Sequence, residues 1–317
     1  MALVVGKLAI IGQGHIGSSI ARAVIERSVS REVTVTDADP KVRKRVAELG
    51  FGIAKVVDTS IEAVRDADLV IACIPVGQYG ALAKEIGPHL KPGSIFSDVG
   101  SVKSSVVRDV APHLPPQVNF IPAHPLAGTE RSGPDSGLAD LFSNRWLILT
   151  PLPEADKAAV ATATAFWQEL GSYVEVMSPD HHDHVLAITS HMPHVIAFTI
   201  FHTALRYERD TDSEVMKYSA GGFRDFTRIA SSNPTMWRDI FLNNKDAILD
   251  VLDQFNSDLK AFSDAIRNGD ADKLVSDLST SRLTRRKVIE KEHISVTGDR
   301  NKDPELDFIV RPYGSGD

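Results

Sequence analysis

Residues 8–17 read LAIIGQGHIG. An apolar run leads straight into Gly12, Gly14 and Gly17, set in the G-x-G-x-x-G spacing. That hexapeptide alone is a weak signal. A strand before it and a helix after it supply the context in which the spacing has a chemical purpose. Gly12 then permits a tight turn, and Gly14 lets backbone N–H groups approach a pyrophosphate. Gly17 lets helix and strand pack closely, with the helix N-terminus facing the anion. His15 and Ile16 lie in the same turn and join the candidate dinucleotide contacts. The competing reading is a glycine turn with a purely structural role.

Asp37 falls 20 residues past Gly17, at the end of VTVTD (33–37). A carboxylate there can accept hydrogen bonds from both hydroxyls of an adenosine ribose. Asp39 precedes Pro40 and reads as the cap of the next helix, which leaves Asp37 free for the ribose. Its charge repels a 2′-phosphate, so the expected cofactor is NAD, with NADP less favoured. Lys41, Arg43, Lys44 and Arg45 are the residues that can oppose this. Their simpler reading is a solvated helix face.

Outward from this turn, short apolar runs alternate with helical patterns. LAIIG (8–12), VTVTD (33–37), DLVIACIP (68–75), SIFSDVG (94–100), NFIPAHP (119–125) and RWLILTP (145–151) read as strands. Most are continuously apolar, as strands are when helices cover both faces of a parallel sheet. Ile16–Glu26, Val42–Leu49, Tyr79–Leu90 and Val102–Leu114 suit the intervening helices. Ala155–Leu170 and then Tyr173–Met177 complete an α/β, doubly wound Rossmann-like parallel sheet. After Met177 the texture becomes all-α, with helices expected over Asp180–Tyr207, Asp212–Ser232, Pro234–Ile266 and Ala271–Glu292. The expected division is therefore 1–177, 178–292 and a polar tail, 293–317, mobile by default, in which LDFIV is at most an edge strand.

The chain has 317 residues, 43% hydrophobic and 24% charged, as in ordinary globular proteins. A net charge of −7 argues against a nucleic-acid partner. One cysteine, Cys73, permits no intrachain disulfide, fits a reducing compartment such as the cytoplasm, and reads as a small buried hydrophobe. The N-terminus reads as a strand rather than a signal peptide. No apolar run approaches the roughly 18 residues of a membrane span, so no membrane partner is expected.

Ligands of open α/β sheets bind outside the carboxyl ends of the strands. Three more loops end strands here. IPVGQ (74–78) places Ile74 and Pro75 where they can cover the cofactor. DVGSVKSS (98–105) places Ser101 at an expected helix start, where an N-cap is the simpler role. IPAHPLAGTE (121–130) holds His124 between Pro122 and Pro125, which fix the backbone around it. A neutral imidazole at that rim can accept a hydrogen bond from a substrate hydroxyl. A buried histidine satisfied by a carbonyl is the competing reading.

The second half carries its own polar cluster. In TSHMPH (189–194), His191 and His194 share a helix face, and Pro193 is expected to kink the helix. His181 and His182 read as surface residues, and the spacing matches no standard metal site, so no metal is expected. In AGGFRDFTRIASSNPTMW (220–237), Gly221-Gly222 suggests a close backbone approach, while Arg224 and Arg228 can present two cations on one face.

Taken together, GQGHIG, DVGSVK, HPLAGTE, SHMPH and GGFRDFTRIASSNPTMWRDIF resemble the prephenate/arogenate (cyclohexadienyl) dehydrogenases, NAD(P)-dependent enzymes of tyrosine synthesis. The motifs extend over most of residues 8–240, in the family's order. The resemblance implies oxidative decarboxylation, with hydride leaving C4 for nicotinamide and CO2 leaving C1 of the substrate. It implies that His124 bonds the 4-hydroxyl, that Ser101 assists, that Arg228 binds the ring carboxylate and that His194 lies near the substrate side chain. His191, Gly221, Arg224, Asp225, Glu130 and Trp237 complete the implied substrate site. It also implies a homodimer formed by the all-α half. Prephenate is favoured over arogenate because His194 and Arg224 suit a pyruvyl carboxylate. Two rival readings are a β-hydroxyacid dehydrogenase, whose lysine the first helix of the second half lacks, and a non-catalytic NAD-binding regulator.

Overall fold

The computed structural model describes residues 3–50, 52, 55–128 and 131–297, the last ten as backbone only. Strands are β1 (Val5–Ile11), β2 (Ser30–Thr36), β3 (Lys55–Val56), β4 (Leu69–Ala72), β5 (Ile95–Asp98), β6 (Asn119–Phe120), β7 (Ala123–Pro125), β8 (Trp146–Leu149) and β9 (Tyr173–Val176). Helices of the first half are α1 (His15–Arg27), α2 (Pro40–Leu49), α3 (Ser60–Val64), α4 (Tyr79–Ile86), α5 (Ser104–Val110) and α6 (Lys157–Glu169). They are followed by α7 (Pro179–Leu186), α8 (Met192–Thr211), α9 (Gly221–Thr227), α10 (Pro234–Asn243), α11 (Lys245–Asn268) and α12 (Ala271–Thr297).

Six strands form one parallel sheet in the order β3-β2-β1-β4-β5-β6. The continuous apolar runs explain why both faces are covered. In β1, Leu8 and Ile10 join Ile20 and Val24 of α1 and Phe166 and Trp167 of α6. The alternate residues Ala9 and Ile11 join Ala83 and Ile86 of α4 and Val106 and Val110 of α5. Successive side chains point to opposite faces, so a strand with no polar face must be packed on both.

Several expectations are corrected. NFIPAHP is not one strand. Asn119–Phe120 ends the parallel sheet, and after Ile121-Pro122 the segment Ala123–Pro125 starts a second sheet, β7-β8-β9. There β7 pairs with β8 antiparallel and β8 with β9 parallel. Pro122 supplies no N–H to a ladder, which suits the break. The two-residue β3 carried too little pattern to be read. Tyr79–Leu90 and Val102–Leu114 shorten to α4 and α5, each followed by a single tight turn that contains a proline, Pro88 and Pro112.

The helical half is more broken than its periodicity suggests. Pro193 does not kink a continuous α-helix. A π-helical turn over Ala187–His191 precedes it, and Pro193 falls in the first turn of α8, where its missing N–H costs little. The helical run Pro179–Thr211 is 33 residues and, by length and composition, long and apolar enough to cross a membrane, contrary to the sequence reading. Buried His182, Asp183 and His191 lie within it. Asp212–Ser232 divides into short turns around α9, and Pro234–Ile266 divides at Asn244 into α10 and α11. The last helix continues past Glu292 to Thr297, into the expected tail, and LDFIV lies outside the described residues.

By packing, the chain falls into two units, Met1–Leu252 and Asp253 onward. In the second unit, Gly269 at φ +66° ends α11, and Asp270 accepts from the Lys273 N–H as α12 begins. Leu259, Ile266, Val275, Leu278 and Leu283 are exposed there.

The glycine spacing makes a stability prediction. A Cβ on Gly17 meets the Gly12 carbonyl oxygen at 1.9 Å, whereas a Cβ on Gly14 has no protein atom within 4 Å. Gly17→Ala is expected to lower unfolding free energy by about 1–3 kcal/mol through overpacking. Gly14→Ala should stay within about 0.5 kcal/mol, as changes that create no clash, cavity or unpaired group usually do. Chemical denaturation of both variants checks the contrast.

Candidate active site

At the end of β1 the chain turns at Gly12, φ +91°, where a Cβ would lie 2.3 Å from the Cys73 carbonyl and 3.2 Å from Ile74. The glycine turn and the start of the IPVGQ loop therefore touch. Gly14 precedes α1 with no side-chain cap, and the first turn of α1 holds no acid. Its amides and dipole are left for an anion. Ile16 packs against the core and His15 is buried, with Nδ1 2.9 Å from the Ser136 carbonyl. Pro75 is exposed and Ile74 half-buried at the end of β4. Cys73 is half-buried, and burial raises its thiol pKa, as befits a packing residue.

Asp37 is not free. Its Oδ2 accepts from the Gln13 N–H at 2.7 Å and its Oδ1 from the Asp39 N–H at 2.9 Å. These bonds aim the carboxylate and leave it further lone pairs for a ribose. Asp39 caps α2 as expected, accepting from the Lys41 N–H at 2.8 Å. Of the nearby cations, Arg43 donates to the Asp37 carbonyl at 2.7 Å and to Asp58 at 3.2 Å, while Arg45 holds Asp135 with a fork of bonds.

Ser101 is half-buried in the loop before α5 and does not cap that helix. The cap comes from elsewhere in the sequence. Asp183 of α7 accepts from the Lys103 N–H through Oδ1 and from the Ser104 N–H through Oδ2, each at 2.8 Å. The Lys103 side chain turns inward. Fully buried, its ammonium pairs with the equally buried Asp98 and donates to the Ala123 carbonyl at 2.7 Å. Asp98 accepts in turn from the Ala123 and Gly100 N–H groups. Burial lowers the Lys103 pKa, and Asp98 opposes that shift.

His124 thus hangs on a backbone fixed by a buried ion pair. It is 8% exposed. Burial, reinforced by His182 and Lys103, pushes its pKa well below 6.5 and keeps it neutral. Its Nδ1 lies 2.8 Å from His182 Nε2, and His182 Nδ1 lies 2.8 Å from Asp183 Oδ1. His182 is fully buried rather than at the surface, a residue the sequence reading missed, as are Asp183, Lys103 and Asn244. His181 is exposed.

His191 and His194 both meet Trp237, His194 stacking on the indole at 3.5 Å between centroids and His191 edge-on at 6.1 Å. Asn244 donates to the Asp183 carbonyl at 2.9 Å and to His191 Nδ1 at 3.0 Å, so a neutral His191 carries its proton on Nε2. Burial lowers His191 to about 4. Burial also lowers His194, with the nearby Arg228 charge acting the same way. Val102, beside Ser101, packs on Trp237 and Ile240, joining the strand-end loops to α10.

His124, Ser101, His191, His194, Trp237 and Arg228 therefore gather around one region. Arg224, Asp225 and Gly221 are exposed. The Gly221-Gly222 pair opens α9, and a Cβ at either meets no protein atom within 4 Å, which corrects the expected close backbone approach. Glu130 lies outside the described residues.

The profile of the prephenate dehydrogenase nucleotide-binding domain matches residues 20–176, and that of the prephenate dehydrogenase dimerization domain matches 178–280. A cyclohexadienyl dehydrogenase of Zymomonas mobilis is 44% identical over 88% of this chain and 94% of its own length. A prephenate dehydrogenase of Bacillus subtilis is 34% identical over 86% of this chain and 73% of its own. The crystal structure of prephenate dehydrogenase from A. aeolicus in complex with hydroxyphenyl propionate and NAD+ superposes with a TM-score of 0.84 at 33% identity, covering 91% of this chain and all of that one. With both domain profiles matched in sequence order and the strand-end and helical motifs meeting in one place, this chain belongs to the prephenate dehydrogenase family.

Proposed function

We propose that the chain oxidatively decarboxylates prephenate to 4-hydroxyphenylpyruvate with NAD, in tyrosine biosynthesis. Arogenate, which would give tyrosine, is the alternative substrate. The observation that carries this reading is a buried, neutral His124 within β7, next to Ala123, whose backbone the Asp98–Lys103 pair at the end of β5 holds. Residues 1–177 are assigned to the dinucleotide and 178–292 to the substrate and the partner subunit, in keeping with the two profile matches.

NAD, when bound, supplies the hydride acceptor. The unfilled space at Gly14, the uncapped start of α1 and the braced Asp37 carboxylate fit it. The C4–H bond breaks with its electron pair leaving as hydride. The 4-hydroxyl proton then acidifies, and His124 Nε2 shares it. The electron pair of the C1–carboxylate bond flows into the ring as CO2 departs, and the ring oxygen keeps the proton as a phenol. Because the hydrogen bond to His124 strengthens as the carbonyl character grows, it acts on rate more than on binding. Ser101 orients the same hydroxyl. Arg228 holds the ring carboxylate but gains nothing by gripping it as it becomes neutral CO2, so its role is binding. His194, stacked on Trp237, faces the side chain, with His191 behind it.

The exposed Ile200, Phe201 and Leu205 of α8 suit burial by a second copy, and we assign a homodimer interface to this face. We place the enzyme in the cytoplasm, with neither nucleic acid nor membrane as a partner. The assay that tests the whole reading crosses prephenate and arogenate with NAD and NADP. Reduced nicotinamide should form with prephenate and NAD; no turnover in any combination overturns it.

His124→Asn should lower kcat by roughly 10²–10⁴-fold, the range for lost acid–base help. Protonation abolishes the acceptor, and the shift below 6.5 delays it, so wild-type kcat/KM should hold as pH falls through 6.5. Arg228→Gln should raise the substrate KM more than it lowers kcat, as steady-state kinetics will show. Asp37→Ala should shrink the preference for NAD over NADP, read as the ratio of the two kcat/KM values.

A further inference from the structure

The acceptor on His124 has to be a bare ring nitrogen, and a neutral imidazole has only one. Which nitrogen it is depends on what holds the other. Here the other, Nδ1, meets His182 Nε2 at 2.8 Å, and two unprotonated ring nitrogens cannot bond.

The ambiguity is resolved at the far end of the chain of bonds. Asp183 accepts from two backbone amides, Lys103 N–H and Ser104 N–H, one on each oxygen. Burial alone would raise its carboxyl, but His182 and those two amides outweigh burial and hold it below the usual carboxylate range. An ionised Asp183 can only accept, so His182 Nδ1, 2.8 Å from Oδ1, carries the proton. Burial holds His182 neutral against Asp183's pull. Its Nε2 is therefore bare and must accept. His124 Nδ1 then carries a proton and donates, and His124 Nε2 is left as the lone-pair nitrogen. Every proton along Asp183, His182 and His124 is placed by the one charge.

From this geometry we infer that the His182–Asp183 pair of α7 is a positioning device that fixes the tautomer and ring plane of His124, so that Nε2 is always the acceptor. It touches neither substrate nor cofactor. The two rings meet edge-on, 64° between planes, which resists rotation of His124 about its Cβ bond. During turnover His124 accepts at Nε2 while its Nδ1–H stays on His182, so no proton has to leave the pair. This rests on the role proposed for His124, and it accounts for two otherwise costly choices, burying a second histidine and placing a carboxylate next to it.

The direct test is the tautomer itself, read by nitrogen-15 NMR of the full-length protein labelled on histidine, with His124→Asn and His182→Gln giving the assignments. The inference expects His124 protonated on Nδ1 and bare on Nε2, the reverse of the form that predominates in free histidine. A His124 protonated on Nε2 overturns it. Kinetics supply a second arm. His182→Leu removes the acceptor and should lower kcat roughly 10–100-fold, by analogy with the loss of a partner that orients a metal-bound histidine, with the KM for NAD unchanged. His182→Gln places an oxygen near the same point and should restore most of that loss. Equal kcat values for the leucine and glutamine variants overturn the positioning role. Should His124→Asn itself leave kcat intact, the reading of His124 as the substrate's acceptor fails instead, and the NMR result still decides the tautomer.

Discussion

One buried ammonium holds the site together. Lys103 Nζ bonds Asp98 at the end of β5 and the Ala123 carbonyl at the start of β7, and Asp98 bonds the Ala123 N–H in return. The two sheets have no shared ladder at this point, so these bonds set where β7 begins. His124 is the next residue. Taking one partner from such a pair leaves an unpaired buried charge, a loss of about 3–5 kcal/mol. The same positive charge helps keep His124 neutral. A single interaction therefore fixes the position of the ring and biases its protonation.

The second constraint runs the other way, from the helical half into the strand-end loops. Asp183 replaces the missing side-chain cap of α5 by satisfying its first two free amides. Asn244 fastens the carbonyl of Asp183 and the ring of His191 with one amide group. That use of Asn244 gives a physical reason for the break between α10 and α11. The side chain is needed inward, at a point where a continuous helix would have carried an ordinary core residue.

Much of this was legible in the residues. The glycine spacing, the cap at Asp39 and the continuous apolar strands each follow from local chemistry, and the structure places them as expected. The divided strand at Asn119–Pro125 was not legible, because nothing in the apolar pattern separates Asn119–Phe120 from Ala123–Pro125, and only the pairing partner decides. The apolar pattern across Pro234–Ile266 likewise hides the break at Asn244, whose reason is tertiary. His182 and Asp183 did leave a trace. They stand four and three positions before Leu186, on the spacing of a buried helix face, and polar residues in that register call for partners. Read as part of HHDH, they looked like solvated charge. The partners themselves, Lys103 and His124, lie far off in the sequence, where no spacing rule reaches.

The divided origin of the site bears on how such a chain can diverge. The ring we assign to the substrate and the histidine that bonds it are 58 positions apart, and they belong to segments with different folding patterns. A recombinant that takes its strand-rich portion from one relative and its helical portion from another will join two surfaces whose protons were arranged separately. On the proton placement inferred above, hybrids that do not inherit α7 and the loop before β7 together are expected to present His124 with a hydrogen where a lone pair is wanted. Asn244, which holds the carbonyl of Asp183, carries the same restriction within the helical half.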